Sequence, residues 1–383
     1  MHPSKRSGNV SYAIRDIAAE ARQLELKGKE ILHLNVGDPC AYDFEPPAQI
    51  REEAKKALSG KYSGYAPSGG DEELRETVAG IEGVGREDVF ITMGLSEGIE
   101  FGIFILLNHG DEVLLPNPTY PLYDSKTKML DGKPVFYDCD EEWVPVVEDI
   151  RKRITEKTRA VVVINPNNPT GAVWPEKIVK EICGLAAEHN LVVFTDEVYD
   201  RVIFEGEYAN AREVRGDAVL FSGNSISKNY SYPGARVGYV AIHGDEEGKF
   251  SDAFLRMCNQ RLSINWEMQR AAIVGFKSPA DPVYVEKLRK RRDVLMKAIE
   301  GTEGISAVKP KSAMYAMVKV EGYEGADWDF ARELMREAGV LVAPGSAFLK
   351  NKKEAYFRTT FLPPEEKIIS AYEKIGEFLK KGR

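Results

Sequence analysis

From Asp88 onward the chain alternates short apolar runs with helical stretches, a pattern that few architectures other than a parallel sheet can satisfy. The runs are, in order, DVFITMG, DEVLLPNP, KPVFYDC, RAVVVINP, LVVFTDEVY, AVLFSGN and RVGYVAI. Segments with helical apolar spacing, such as SEGIEFGIFILL and PEKIVKEICGLAAEHN, separate most of them. Continuous Val, Ile and Leu runs between helices are typical of strands buried on both faces. We therefore predict an α/β fold with a mostly parallel sheet between helices.

The ends of the chain have a different texture, and they indicate a second, smaller unit. EILHLNVGDP predicts a strand that runs into a Gly-Asp-Pro turn, and the C-terminal hundred residues mix short strands with helices. Apolar spacing near 3.6 residues predicts helices over 11–29, 46–59, 71–79 and 282–300. At 383 residues the chain can bury two cores. We predict a large domain over 47–280 and a small α+β domain made of 1–46 and 281–383.

Composition excludes several classes of function. The formal net charge of −8 argues against a nucleic-acid partner, which usually requires a basic face. No apolar segment is long enough to span a membrane, and the N-terminus lacks the apolar core of a signal peptide. The five histidines form no zinc-binding pattern. The four scattered cysteines, without a CxxC pair, favour reduced thiols and a cytoplasmic protein.

Polar side chains follow three of the predicted strands at the point where each strand ends. Asn168 lies in the NPNNPTG turn after VVVI, Asp196 and Tyr199 come after LVVF, and Ser225 and Lys228 come after AVLF. Ligands of open α/β sheets bind beyond the carboxyl ends of the strands. If the three strands are neighbours, a carboxylate, a phenol, an amide, a hydroxyl and an amine meet in one crevice.

This set of groups suits an aromatic aldehyde cofactor with a phosphate tail. The amine of Lys228 can form a Schiff base with the aldehyde. The carboxylate of Asp196 can keep a ring nitrogen protonated, which makes the ring an electron sink. Serine hydroxyls and Arg236, which follows Lys228 by eight residues, can hold the phosphate, since a guanidinium makes bidentate contacts with oxyanions.

Each of these residues has an ordinary alternative when it is taken alone. Lys228 could be a solvated loop lysine, Asp196 a helix cap and Tyr199 a core residue. NPNNPTG could be a plain turn, because Asn, Pro and Gly favour turns for backbone reasons. The order and spacing of the motifs, rather than any single residue, favour a site.

That order resembles the class I and II aminotransferases, pyridoxal-phosphate enzymes of the aspartate aminotransferase fold (fold type I), and among them the microbial alanine aminotransferases. The similarity covers nearly the whole chain. In sequence order the shared motifs are NVGDP, YSGYAPSGGDEELRE, ITMGLSEGI, PNPTYPLY, NPNNPTG, DEVY, SISK followed by GARVGY, and YFRTTF. The resemblance implies pyridoxal 5′-phosphate as the cofactor, with an L-amino acid and a 2-oxo acid as substrates.

The resemblance also assigns roles around the cofactor ring. Lys228 corresponds to the Schiff-base lysine, which moves the proton between the substrate α-carbon and the cofactor. Asp196 would pair with the pyridine nitrogen, while Tyr199 and Asn168 would bond the phenolic oxygen of the ring. Tyr120 corresponds to the aromatic side chain that stacks on the ring.

The phosphate would be held by Ser225, Arg236 and the turn Gly94-Leu95-Ser96, whose amides open a helix where anions are favoured. Leu95 departs from the small residue often found in that turn, which leaves its fit in question. Tyr65 corresponds to a tyrosine that reaches the phosphate of a neighbouring subunit, so the resemblance implies a homodimer with shared sites.

For the substrate, the resemblance assigns Arg358 to the α-carboxylate, with Asn168 beside it. Gly37 would let the backbone approach that carboxylate. The resemblance further implies cis peptide bonds before two prolines, Pro118 and Pro169.

The amino donor stays open, with alanine and 2-oxoglutarate first, aspartate second, and aromatic amino acids also possible because Tyr12 and Tyr315 lie in motifs near the site. A substrate with a second carboxylate needs a second cation, for which Arg15, Arg256 and Arg261 are candidates. A lyase that breaks a β or γ bond, such as a C–S lyase, would use the same groups. A pyridoxal-phosphate-sensing regulator would need a separate DNA-binding module, for which the motifs leave no room.

Overall fold

The computed structural model describes residues 2, 13–60, 64–323 and 325–381. Its strands are β1 (Leu32–His33), β2 (Val89–Thr92), β3 (Glu112–Asn117), β4 (Lys133–Asp138), β5 (Thr158–Ile164), β6 (Val192–Asp196), β7 (Val219–Ser225), β8 (Gly238–His243), β9 (Ile305–Ala307), β10 (Tyr315–Val320), β11 (Val340–Leu341), β12 (Ala343–Pro344) and β13 (Ala355–Thr360). Its helices are α1 (Ala13–Glu25), α2 (Ala48–Leu58), α3 (Glu72–Glu82), α4 (Leu95–Leu106), α5 (Pro121–Met129), α6 (Val147–Arg153), α7 (Glu176–Glu188), α8 (Ala211–Val214), α9 (Ile226–Asn229), α10 (Lys249–Arg261), α11 (Trp266–Lys277), α12 (Pro282–Glu300), α13 (Asp327–Glu337) and α14 (Glu365–Lys381).

The apolar runs form one seven-stranded sheet in the order β2-β8-β7-β6-β5-β3-β4. Every neighbouring pair is parallel except those made by β8, which runs antiparallel to both β2 and β7. The predicted mostly parallel sheet is confirmed. The connection from β7 to β8 contains only the one-turn helix α9 and a 3₁₀ turn, too short a helix to carry the chain back along the sheet for a parallel strand.

The register of the three central strands brings their carboxyl ends level. Ile164 at the end of β5 lies opposite Asp196 of β6, and Asp196 lies opposite Gly223 of β7. The polar segments that follow these strands therefore leave the sheet side by side. This arrangement creates the crevice that the sequence predicts.

The elements at the two ends of the chain share a separate hydrophobic core. Strands β12, β13, β10 and β9 form an antiparallel sheet, and β1 pairs in parallel with β11 through Leu32 and Val340. Ile17 of α1 packs in the same buried cluster as Leu334 of α13 and Ile375 of α14. This shared core supports the two-domain division, which stays a prediction.

Several predicted boundaries need adjustment. The N-terminal helix ends at Glu25, three residues before Gly28, and residues 11 and 12 lie outside the described part of the chain. Only Leu32 and His33 of EILHLNVGDP form strand, although the Leu34 N–H still donates to the Leu341 carbonyl at 2.8 Å. By contrast α12 covers 282–300 as predicted, and the Asp281 side chain caps it by accepting from the Val283 N–H.

The cis peptide bonds agree with the prediction at one proline and differ at the other. The bond Asn117–Pro118 is cis, but the second cis bond is Asn165–Pro166, not the bond before Pro169. The chain turns immediately after β5, and a hydrogen bond from the Gly171 N–H to the Asn167 carbonyl at 2.8 Å already closes the next turn. The bend therefore comes three residues earlier than predicted.

Helix α4 lies unusually close to the sheet because two glycines face it. A β-carbon at Gly98 would lie 2.6 Å from a methyl of Val240, and one at Gly102 would lie 2.5 Å from the ring of Phe194. The close packing fixes the N-terminus of α4 at the end of the sheet where β6 and β7 finish. No helix of the described residues is long and apolar enough to cross a membrane.

We predict that Gly102→Ala destabilises the protein, although alanine is the better helix former. Overpacking typically costs about 1–3 kcal/mol, which exceeds a helix-propensity gain of about 1 kcal/mol. Gly184→Ala in α7 is the matched control, since a methyl there would meet no heavy atom within 4 Å; it should stabilise by roughly 0.5–1 kcal/mol. Urea unfolding of both variants measures the difference, and equal stabilisation would refute the close-packing argument.

Candidate active site

A cavity of about 680 Å³ lies at the carboxyl ends of β5, β6 and β7. Its lining brings together most of the residues that the sequence singles out: Gly37, Leu95, Ser96, Tyr120, Asn168, Asp196, Tyr199, Ser225, Lys228, Arg236 and Arg358. Tyr65 does not line it; its side chain is 78% exposed on the loop before α3. The cavity therefore brings together predicted cofactor and substrate residues from both ends and the middle of the chain.

Lys228 reaches the cavity from the one-turn helix α9. Ser225 caps this helix, and its hydroxyl accepts from the Ser227 N–H at 3.3 Å. The Lys228 amine donates to the carbonyl of Gly37 at 2.5 Å, which joins the N-terminal segment to the end of β7. The amine thus lies inside the cavity rather than in solvent, where a loop lysine would point.

Asp196 ends β6 and is 5% exposed. From the described residues its carboxyl accepts two long hydrogen bonds, from the Val198 N–H at 3.4 Å and the Tyr123 hydroxyl at 3.5 Å. Burial raises the pKa of Asp196 to about 7, against the opposing effect of these donors and of the Lys228 charge. No cation of the described residues forms an ion pair with it, so the carboxyl suits a protonated ring nitrogen. Sequence reasoning missed Tyr123, although it is the second tyrosine of PNPTYPLY.

The groups suited to a phosphate meet where α4 begins. Gly94 and Arg236 both have left-handed backbone, with φ of 64° and 53°, and a β-carbon at Gly94 would lie 2.6 Å from the Arg236 guanidinium. Leu95 and Ser96 at the start of α4, Ser225 and Arg236 all line the cavity, and their amide, hydroxyl and guanidinium groups are donors suited to an anion.

Leu95 fits this turn because its side chain packs away from the donors. Its methyl would lie 2.4 Å from a β-carbon at Gly223, so the glycine in β7 provides the room that a leucine requires. The question raised by Leu95 in the sequence therefore has a packing answer.

Arg358 is a fully buried cation, 2% exposed, that leaves β13 towards the cavity. It donates to the side-chain oxygen of Asn168 at 3.1 Å and to the carbonyl of Asn35 at 2.6 Å. Its guanidinium carbon lies 4.2 Å from the ring centre of Tyr315 and 4.5 Å from that of Phe348. Its Nε is buried without a hydrogen-bond partner, and no described acid pairs with it. A buried guanidinium in this condition suits a carboxylate ligand.

Tyr199 and Tyr120 complete the lining. The Tyr199 hydroxyl lies 3.2 Å from the Tyr315 hydroxyl. Burial raises the pKa of Tyr199 well above its usual range, and Tyr315 and Asp196 act in the same direction, so the phenol keeps its proton. Tyr120 precedes α5 and is half-buried at the cavity wall. The Tyr199 hydroxyl and the Tyr120 ring can both contact an aromatic ring bound in the cavity.

The three candidate arginines for a second carboxylate are separated by the structure. Arg15 lines the cavity. Arg256 lies in a different surface groove between α4 and α10, and Arg261 pairs with Glu97 at 3.4 Å and donates to the carbonyl of Ile91. Arg256 and Arg261 are therefore wrong as cavity residues.

Of the two further tyrosines, Tyr315 lines the cavity and Tyr12 lies outside the described residues. Sequence reasoning missed other lining residues, several of them apolar and without a distinctive pattern: Ile14, Val36, Asp38, Ile99, Leu122, Val198, Ser227, Pro233 and Gly234.

Comparison with known proteins gives the class of this chain. A profile of the family Aminotransferase class I and II matches residues 29–375, and the chain belongs to that family. The enzymes of this family and fold depend on pyridoxal 5′-phosphate, and the residues of the cavity fit it: an amine, a buried unpaired carboxyl and a wall of phosphate donors. The chain is therefore a pyridoxal-phosphate-dependent aminotransferase, as the resemblance predicted.

Several named aminotransferases are similar to this chain over nearly its whole length. The glutamate-pyruvate aminotransferase AlaA of Haemophilus influenzae is 33% identical over 99% of this chain and 98% of its own. An alanine aminotransferase of Mycobacterium tuberculosis is 34% identical over 98% of this chain and 92% of its own. The solved alanine aminotransferase of Pyrococcus furiosus is 37% identical, with a TM-score of 0.96 over 99% of this chain and 100% of that one. The aspartate aminotransferase of Thermus thermophilus, solved with maleate, is 27% identical, with a TM-score of 0.91 over 99% of this chain and 100% of that one.

We predict that Asp196→Asn changes how the stability of the cofactor-free protein depends on pH. The carboxyl has a pKa of about 7 when folded and about 3.9 when unfolded. Between these values the folded state keeps a proton that the unfolded state has lost, so this group makes the free energy of unfolding fall as pH rises through the window. The variant lacks this slope and should be more stable than wild type at pH 8 by a few kcal/mol, about 4 at most.

Urea unfolding at pH 4, 5.5 and 8 gives the comparison. Saturating pyridoxal 5′-phosphate is the control. A ring cation beside Asp196 should remove the loss of stability that the ionised carboxyl causes in the wild type at pH 8, and the cofactor should stabilise the variant less than the wild type. Parallel pH profiles for the two cofactor-free proteins would contradict an elevated pKa at this carboxyl.

Proposed function

We propose that this aminotransferase transfers the amino group of L-alanine to 2-oxoglutarate. The observation that carries the proposal is the buried Arg358, a cation without an acidic partner among the described residues, in the same cavity as the Lys228 amine. An α-carboxylate bound there lies in the cavity that the amine also enters. The relatives from Mycobacterium tuberculosis and Pyrococcus furiosus are named alanine aminotransferases, and that from Haemophilus influenzae is named for glutamate and pyruvate, the substrates of the reverse reaction, so the names support this substrate pair.

When bound, pyridoxal 5′-phosphate supplies an aldehyde carbon and an electron-withdrawing ring that stabilises negative charge at the substrate α-carbon. The chain contributes the proton carrier. The Lys228 amine is mobile on a flexible stem and accepts or donates a proton at that carbon, while the carbonyl of Gly37 holds it when it is not otherwise bonded. Because burial raises the pKa of Asp196 to about 7, a neighbouring cation stabilises the charged carboxylate, and the carboxylate in turn favours the protonated ring nitrogen on which charge stabilisation depends.

Other residues fix the position of the ring. Ser225, Arg236 and the first turn of α4, which line the cavity, would hold the phosphate, and Tyr120 would stack on the ring. Asn168 uses its side-chain oxygen for Arg358, which leaves its NH₂ group to donate to the phenolic oxygen together with Tyr199. One asparagine thereby ties the cofactor side of the cavity to the carboxylate side.

Arg15 suggests how a second carboxylate could be accepted. Alanine and pyruvate have one carboxylate, whereas glutamate and 2-oxoglutarate have two. Arg15 lines the cavity with an exposed side chain that makes no ion pair with the described residues. We propose that it binds the distal carboxylate of the five-carbon substrates and stays in solvent with the three-carbon ones.

Two further properties are part of the proposal. Tyr65 is exposed on its own chain, which is expected of a residue that completes the site of a neighbouring copy, so we propose a homodimer. Sedimentation at the 42.8 kDa mass of one chain would rule it out. The four cysteines are free thiols, which supports a cytoplasmic location, testable by fractionation.

We predict that purified protein with pyridoxal 5′-phosphate has a visible absorption band that L-alanine bleaches and 2-oxoglutarate restores. An alternating (ping-pong) transfer requires that the amino donor alone would change the absorption of the bound cofactor and that the 2-oxo acid alone would reverse the change. Bleaching by aspartate or by an aromatic amino acid, and not by alanine, would identify that amino acid as the donor. Release of ammonia in the absence of a 2-oxo acid acceptor would indicate a lyase reaction and contradict amino transfer.

Lys228→Ala is the control for this experiment. It lacks the amine that joins the aldehyde, so the wild-type band should be absent and amino transfer should fall at least about 10³-fold. Turnover by this variant at the wild-type rate would refute the assignment of Lys228.

We predict that Arg15→Gln raises KM for glutamate and 2-oxoglutarate by about tenfold or more, since it removes a charge-assisted contact of about 1.5–3 kcal/mol. KM for alanine and pyruvate should change less than about twofold, because these substrates have no group for that contact. Arg256→Gln, an arginine outside the cavity, is the matched control. Steady-state kinetics in both directions measures the split, and equal effects on both substrate pairs would contradict the proposal.

A further inference from the structure

Tyr315 touches three separate parts of the candidate site. It is the first residue of β10 and is buried. Its ring centre lies 4.2 Å from the guanidinium carbon of Arg358, and its hydroxyl lies 3.2 Å from that of Tyr199. A β-carbon at Gly37 would lie only 1.7 Å from the Tyr315 hydroxyl, so that hydroxyl fills the space a side chain at Gly37 would need. Gly37 in turn accepts from the Lys228 amine.

We propose that Tyr315 is a positioning residue with two separable effects: its ring holds Arg358 for the substrate carboxylate, and its hydroxyl directs the Tyr199 hydroxyl towards the cofactor. The proposal rests on the proposed function, in which Arg358 binds the α-carboxylate and Tyr199 bonds the ring oxygen. Tyr315 itself acts through these two residues and not on the reacting atoms.

The ring effect follows from how Arg358 is held. Tyr315 covers one side of the guanidinium, and Phe348 lies 4.5 Å away as a second aromatic contact. Asn168 and the Asn35 carbonyl accept two of its N–H groups, while no described carboxylate compensates the charge. Aromatic faces attract a desolvated cation without using its N–H donors. They can therefore hold the buried guanidinium in place while its remaining donors stay available for a carboxylate.

The hydroxyl effect follows from proton counting. A tyrosine hydroxyl has one proton to donate and can also accept. Tyr199 donates to Tyr315 in the structure, and a rotation of both hydroxyls reverses the bond. In the reversed arrangement Tyr199 accepts from Tyr315 and has its own proton free for the phenolic oxygen of the ring. Without the Tyr315 hydroxyl, the Tyr199 hydroxyl loses the partner that fixes its direction.

The two effects can be separated with two substitutions. Tyr315→Phe keeps the ring and removes the hydroxyl, whereas Tyr315→Leu removes both. For Tyr315→Phe we expect kcat to fall about fivefold and the dissociation constant of pyridoxal 5′-phosphate to rise about threefold, with KM for alanine within about twofold of wild type. For Tyr315→Leu we expect an additional rise of about tenfold in KM for alanine and for glutamate.

Matched variants control each half. Phe348→Leu removes the other aromatic contact of Arg358 and should raise KM without changing the affinity for pyridoxal 5′-phosphate. It also tests the ring effect if Tyr315→Leu fails to fold. Tyr137→Phe removes a buried hydroxyl that donates to the Val162 carbonyl at 2.7 Å and whose residue does not line the cavity; it should leave kcat, KM and cofactor affinity unchanged. Cofactor affinity is measured by titrating cofactor-free protein, so it does not depend on turnover.

The outcomes distinguish this proposal from the proposed function. Wild-type kcat and cofactor affinity in Tyr315→Phe would overturn the hydroxyl effect, and a wild-type KM in both Tyr315→Leu and Phe348→Leu would overturn the ring effect. Parallel losses in Tyr137→Phe would also overturn the proposal, because they would mark a general consequence of removing a buried hydroxyl. An absence of amino transfer in wild type, with every donor, would instead overturn the proposed function and this inference with it.

Discussion

The rest of the site depends on the buried carboxyl group of Asp196. It is buried at the end of a central strand, without an ion-pair partner among the described residues, and burial raises its pKa to about 7. A buried acid in this condition is costly as an anion unless a cation arrives. Arg358 lines the same cavity and is a buried cation without an acidic partner in the described part of the chain. Asp196 needs a cation and Arg358 needs an anion. A protonated aromatic ring can supply the first and a substrate carboxylate the second.

Much of this arrangement could be predicted from the sequence, because the strand ends carry it. Asp196 and Lys228 follow apolar runs directly, and neighbouring parallel strands with level ends must bring such residues together. Apolar spacing within one segment likewise predicted α12 at 282–300. The motif order then identified the class of enzyme and its cofactor.

The parts that could not be predicted depend on contacts between distant segments. Nothing near Arg256 or Arg261 in the sequence distinguishes them from Arg15, yet only Arg15 of the three lines the cavity. The cis bond at Pro166 rather than Pro169 depends on where the chain bends after β5. Tyr315 is positioned by its strand pairing, opposite Thr360, and its contact with Tyr199 joins residues 116 positions apart. Such contacts leave no local pattern.

The partners of Arg358 have a consequence for how the enzyme is made. Asn35 near the start, Asn168 in the middle and Arg358 near the end of the chain are joined by two hydrogen bonds, and β1 pairs with β11. A nascent chain still on the ribosome has the seven strands of the large sheet long before it has Arg358. The residues of the cofactor wall lie between 94 and 236, whereas the carboxylate-binding wall cannot close before Arg358 has been synthesised. A substrate carboxylate therefore meets a complete binding site only when the segments around Asn35, Asn168 and Arg358 have all been made and have folded together.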